Sequence, residues 1–260
     1  GFYNLDDIVL CSLNTENEGY FEGSTIFEWW RKTAKKQGAE YITNEVVSLS
    51  KSADGQKIET VTLATGEVIP CGTVINATGP RGAMTAAMAG IDIPIEPRKR
   101  YTFIFDAEDD LGRDLPLTVD PSGIHMRQYG DKFMAGSPPD PDPAVAVDDF
   151  TEDHSIWENH IWPLLANRVP QFERIKVLSS WAGHYDFNIF DHNAIVGPHP
   201  EICNFLFVNG FSGHGLQQSP AIGRGISELI TYGEYRSLDL SPFSFQRIID
   251  NEPIREKAVI

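Results

Sequence analysis

Residues 209–225 read N-G-F-S-G-H-G-L-Q-Q-S-P-A-I-G-R-G, with five glycines, directly after the apolar run Phe205-Leu206-Phe207-Val208. Such a run predicts a strand, and the apolar positions over 222–230 recur at helical spacing. Strand, glycine-rich turn and helix present a helix start to an anion, because the first amides lack intrahelical acceptors and the dipole adds partial positive charge. The spacing is not G-x-G-x-x-G, and Gln217 and Gln218 are amides rather than phosphate clamps. The turn suits a delocalised anion at least as well as a phosphate; on spacing alone, glycines that serve packing carry equal weight.

A second segment has a related order. Val74-Ile75-Asn76 runs into the small residues Ala77-Thr78-Gly79, and a helix is expected over 81–89. This resembles a parallel strand delivering its C-terminal end to a ligand, with an ordinary strand-to-helix connection as the plainer reading. A third segment, Ser180-Trp181-Ala182-Gly183-His184-Tyr185-Asp186, gathers proton-transfer and substrate-binding side chains, though its aromatics also suit a core.

Elsewhere a strand is expected over 8–12 and a polar loop over 14–23. A Ser24-capped helix then buries Ile26, Phe27, Trp30 and Ala34 and stops at Gly38. Strands over 41–49, 57–64 and 67–76 are joined by short glycine-bearing turns, as in hairpins. Further strands are expected over 101–105, 124–129, 132–135, 175–185 and 193–196. One or two helices fall within 149–169, facing inward through Trp157, Ile161, Trp162, Leu164 and Leu165. The fold class is mixed α/β (α+β).

The 260 residues carry 21 basic and 37 acidic side chains, a formal net charge of −16. A surface this acidic repels nucleic acid and anionic membranes. Cys11, Cys71 and Cys203 show no C-x-x-C pattern and read as buried thiols of a reducing compartment. The seven histidines lack metal-ligand spacing, so no metal site is expected, and no G-x-S-x-G elbow occurs. No apolar run approaches the length of a membrane span.

Pro97-Arg98-Lys99-Arg100-Tyr101, Trp181-Ala182-Gly183, Val196-Gly197-Pro198-His199-Pro200, Gly210 to Gln218 and Asp239-Leu240-Ser241-Pro242-Phe243 together resemble the FAD-dependent oxidoreductases of the D-amino-acid oxidase and sarcosine oxidase superfamily. The resemblance implies a partial FAD-binding (glutathione-reductase-like) domain in 1–92 and 201–238, an antiparallel β-sheet substrate domain in 93–200, and a tail in 239–260. It also implies a C-terminal portion whose G-x-G-x-x-G lies upstream of Gly1. Such a portion by itself is expected to be inactive, to bind FAD weakly and to self-associate through an exposed sheet edge.

By the same resemblance, FAD is bound non-covalently. Val46 and Val47 contact its adenosine side, Ala77, Thr78 and Gly79 lie beside it, and Gly210, Ser212, Gly213, His214, Gly215, Leu216 and Gln217 face the flavin. Tyr185 and Gln217 are the substrate-side residues, with His184, Arg100 and Arg127 as further carboxylate contacts. Gly183 stands where sarcosine oxidases tether flavin through cysteine, and Gln217 where they carry a carboxylate-binding lysine. Met134 falls near their oxygen-activating lysine. These departures favour a dehydrogenase acting on a small amine or amino acid and passing electrons to a separate acceptor. The implied compartment is the bacterial cytoplasm, or the mitochondrial matrix in a eukaryote. The alternative is a flavoprotein-derived scaffold for assembling a respiratory complex, with no required turnover.

Overall fold

The computed structural model describes residues 2–17 and 19–257. In chain order the elements begin with α1 (Gly23–Lys36), β1 (Val46–Lys51), β2 (Ile58–Leu63), β3 (Val68–Pro70), β4 (Val74–Asn76) and α2 (Gly82–Met88). They continue with β5 (Ile95–Ala107), β6 (Thr118–Val119), β7 (His125–Tyr129), β8 (Lys132–Ser137), α3 (Trp162–Arg168) and β9 (Ile175–Asn188). The last are β10 (Ile195–Pro198), β11 (Phe205–Asn209), α4 (Gly215–Tyr232) and α5 (Gln246–Ile249). The architecture is mixed α/β with antiparallel sheets, and the chain divides into two compact units, Gly1–Glu22 with Lys99–His184, and Gly23–Arg98 with Tyr185–Val259.

The first unit is built on a sheet of strand order β6-β7-β8-β5-β9. Alternation along β5 and β8 sends Tyr101, Phe103, Phe105, Phe133 and Ala135 to one face. There they meet Trp157, Ile161, Leu165 and Phe172, with Phe105 edge-on to Phe172 at 5.0 Å. Arg168 is buried beside this core, and its guanidinium is held by Asp7 and Asp120.

The second unit holds the antiparallel sheet β1-β2-β3 and the sheet β10-β11-β4, in which β11 runs parallel to β4. β11 is covered on both faces, as its unbroken apolar run requires. Phe205 and Phe207 pack with Ile58, Ala86, Ile195 and Phe245, while Leu206 packs with Ile222 and Ile226 of α4. Burying each phenylalanine contributes about 1.5–3 kcal/mol.

Several expectations need correction. Residues 8–12 form no strand, and helix within 149–169 begins only at Ser155, two residues ahead of the wide turn Trp157–Ile161. The run over 67–76 splits at Cys71-Gly72-Thr73, so that β3 and β4 belong to different sheets. Helix α1 forms and ends in Lys35 and Lys36, but it buries no residue. Phe27, Trp29 and Trp30 are all exposed, because no described element receives that face. Cys11 and Cys203 are exposed and Cys71 is partly buried, which overturns the reading of three buried thiols.

Candidate functional site

In the second unit the 209–225 stretch folds as strand, turn and helix. The turn needs three residues with positive φ, Gly210 (76°), Ser212 (48°) and Gly213 (99°). A Cβ on Gly213 would stand 2.5 Å from Cε2 of Tyr185, so the glycine lets the tyrosine ring lie against the backbone. Ser212 accepts the left-handed conformation because it is tied in place: its hydroxyl oxygen accepts from the Asn188 amide at 3.0 Å.

Asp186 pins the same turn. Its carboxylate accepts from the Gly210 amide at 2.8 Å, and its backbone carbonyl accepts from the Ser212 amide at 3.2 Å. Burial raises the Asp186 carboxyl above its ordinary value, while the amides of Phe211 and Gly210 act in the opposite sense. Helix α4 then starts at Gly215 after the non-helical His214. The Gln218 amide is bonded to the His214 carbonyl at 3.2 Å, and the amides before it have no intrahelical acceptor. Pro220 inside the helix cannot donate to the Leu216 carbonyl, and the Ser219 hydroxyl does so instead at 2.8 Å.

A cleft of about 700 Å³ runs along the flank of α4 from Gly215 to Thr231 and is lined at its near end by Ala77, Gly79, Asp186 and Phe211. Ile75 on β4, an edge strand of its sheet, also lines it. No lysine or arginine is among the lining residues, and Asp186 is the one ionisable group. This surface fits a largely apolar ring carrying delocalised charge and does not fit a pyrophosphate, which requires cations or a nest of amides.

Behind it, Asn76 and Asn209 end the parallel strands β4 and β11, and both are fully buried. The Asn209 amide donates to Asn76 Oδ1 at 3.3 Å, and the Asn76 amide donates to the Gly82 carbonyl at 2.9 Å. Thr78 Oγ1 donates to Asn76 Oδ1 at 2.8 Å, which fixes the Ala77-Thr78-Gly79 turn.

Among the expected cofactor residues, Ala77 and Gly79 line the cleft with Gly215. Gly210, Ser212, Gly213 and His214 form the turn before it, and Leu216 and Gln217 are exposed on the first turn of α4. Val46 and Val47 lie on β1 in the other sheet of the unit; Val46 packs into its core and Val47 is exposed.

In the first unit, Arg100 is buried and its guanidinium grips Asp142 through both oxygens, at 2.9 and 3.0 Å. A substrate carboxylate at Arg100 would compete with that pair. The His184 ring nitrogen Nε2 is bonded to the Asp149 carbonyl at 2.8 Å, and the ring stacks on Phe150. Arg127 differs: it donates to the Gln128 carbonyl at 2.9 Å, lies 4.3 Å over the Tyr20 ring, and has no carboxylate partner among the described residues.

The sequence placed Asp186 in a proton-transfer or substrate-binding cluster rather than as the clamp of this turn, and the two asparagines were passed over as working parts. The parallel strand endings Val74-Ile75-Asn76 and Phe207-Val208-Asn209 were the available signal.

The family model described as FAD dependent oxidoreductase (DAO) matches residues 4–229, and the chain belongs to this family. It is 36% identical, over 99% of its length and 57% of the relative's, to FAD-dependent oxidoreductase domain-containing protein 1 of Xenopus laevis. The monomeric sarcosine oxidase of Bacillus sp. (strain B-0618) is 24% identical over 94% of this chain and 63% of its own. Among solved structures, L-proline dehydrogenase from P. horikoshii superposes with a TM-score of 0.76 at 26% identity, covering 88% of this chain and 60% of that one. The chain thus spans a little over half the length of the relatives it matches.

Proposed function

We propose that the chain is the flavin-facing and substrate-binding portion of a dehydrogenase that oxidises the C–N bond of an amine or amino acid, with FAD held non-covalently. FAD, when bound, takes a hydride from the carbon next to the substrate nitrogen, and the resulting imine hydrolyses. The observation that carries the reading is the strained turn Gly210–Gly213, pinned by Asp186, that starts α4 with Gly215 at a cleft whose lining holds no cation. The first amides of α4 stabilise negative charge on the reduced ring without a full cation.

Tyr185, packed on Gly213, lines the substrate side. The exposed amide of Gln217 hydrogen-bonds a carboxylate more weakly than a lysine would. Arg127, with no carboxylate partner among the described residues, is the cation of the first unit that we assign to pair with one. Dehydrogenase rather than oxidase chemistry is supported by Met134 where sarcosine oxidases carry their oxygen-activating lysine, and by the likeness to a proline dehydrogenase. The proposed compartment is the bacterial cytoplasm or the mitochondrial matrix.

A second reading, an assembly scaffold without turnover, is favoured by the bare apolar face of α1. A screen of N-methyl and D-amino acids on the full-length protein with an artificial electron acceptor separates the two. Flavin bleaching by a member of the panel supports the enzyme; no bleaching by any amine refutes it.

A further inference from the structure

Resting on the reading of Arg127 as the carboxylate partner, we infer that His125 takes a proton from the ammonium group of the bound amino acid. Met126 is fully buried in the core of the first unit, so alternation along β7 places its neighbours His125 and Arg127 together on the opposite face. Their Cα atoms are about 6.5–7 Å apart at that spacing. An α-amino acid bridges such a gap, with its carboxylate on the guanidinium and its nitrogen at the imidazole, through two hydrogen bonds of about 2.8–3.0 Å each.

The imidazole has a built place. Gly136 of β8 is directly opposite His125, and a Cβ there would stand 2.7 Å from the ring Cε1 and 2.8 Å from Nε2. The ring therefore lies across the glycine, where a larger residue would displace it. Neither ring nitrogen has a hydrogen-bond partner among the described residues; Nδ1 is enclosed, which leaves Nε2 as the reachable atom. By contrast, the rings of His184 and His199 each bond to backbone.

The surrounding charge keeps this ring neutral and hence able to accept a proton. Burial lowers its pKa below the ordinary 6.5, and the positive charges of Arg127 and Arg100 lower it further. Arg100 is already paired with Asp142, whereas Arg127 has no such partner among the described residues. A carboxylate arriving at Arg127 cancels the uncompensated charge, so the substrate itself raises the basicity of the imidazole. The ammonium N–H bond then breaks, its proton passes to Nε2, and the products are a neutral amine and an imidazolium. The freed nitrogen lone pair is what the loss of hydride from the adjacent carbon requires.

Both residues lie in one unit, so the test needs only this chain. Histidine and arginine labelled with nitrogen-15 are followed by NMR while sarcosine, or trimethylglycine, which has no N–H proton, is added at pH 8. Sarcosine is expected to move the His125 signal toward imidazolium and to raise its apparent pKa by about one unit or more. Trimethylglycine is expected to bind without protonating the ring. Arg127→Met should abolish both responses, and Gly136→Ala, which crowds the imidazole, should abolish only the protonation. Equal responses to the two ligands, or an Arg127 side-chain shift with an unchanged His125, would overturn the inference while leaving the carboxylate reading intact. No binding of either ligand would overturn both.

Discussion

Gly213→Ala tests whether the turn is held by close packing against Tyr185. The added methyl would stand 2.5 Å from Tyr185 Cε2 and 2.9 Å from Cζ, at a backbone φ of 99°. Forcing a residue with a Cβ into a left-handed conformation costs about 1–2 kcal/mol. Overpacking against an aromatic ring adds about 1–3 kcal/mol. The sum, about 2–5 kcal/mol, corresponds to a fall in melting temperature of about 4–20 °C at the slope usual for chains of 150–250 residues. Gly215→Ala is the control, since it has no positive φ and its Cβ would meet Phe211 at 3.3 Å. It is expected to stay within about 1 kcal/mol of the parent, because alanine is favoured over glycine in a helix. In a Tyr185→Ala background the ring clash disappears, and Gly213→Ala should cost only the backbone share, about 1–2 kcal/mol. Thermal and urea unfolding of the four variants give the cycle. A Gly213→Ala protein that melts with the parent, or an undiminished cost in the Tyr185→Ala background, refutes the packing argument.

Three further outcomes are expected. Because no cation lines the cleft, the chain should bind FAD weakly and no more than several-fold better than riboflavin; fluorescence titration showing FAD at least tenfold tighter would place a phosphate contact here. The raised pKa of Asp186 means that its contribution to stability is complete below 3.8 and is lost as pH rises through the folded value. Asp186→Asn should therefore gain on the parent in urea midpoints as pH rises above 3.8, and parallel curves would contradict the assignment. Replacing Trp29 and Trp30 with serine should lower self-association in sedimentation velocity runs if the bare face of α1 drives it; an unchanged distribution would put the contact elsewhere.

The parts of the fold legible in the sequence were those set by near neighbours. The apolar run over 205–208, the glycines after it and the helical spacing beyond are local signals, and β11, the turn and α4 follow them. α1 shows where such signals end. Its periodicity was enough to give a helix, but burial depends on a partner that periodicity does not contain. The break between β3 and β4 was hidden for a related reason: the residues alternate as one strand, while Asn204, which bonds to the carbonyls of Ile58 and Gly72, holds a bend between two sheets. The Asp186 clamp joins residues 24 apart and the asparagine pair residues 133 apart, so neither leaves a local mark.

Charge placement is the feature that sequence counting conceals most. A net charge of −16 describes the chain as a whole, yet the charge around the candidate anion contacts differs between the two units. In the second unit, Gly215 at the start of α4 lines a cleft whose lining holds no cation and one carboxyl, which suits charge spread over a ring. In the first unit, Arg100 and Arg168 are taken by aspartates, while Arg127 has no carboxylate partner among the described residues and can offer its fork to a localised carboxylate. A substitution at Arg127 should therefore alter the binding of carboxylates and leave the affinity for a flavin ring unchanged, whereas one at Gly213 should do the reverse.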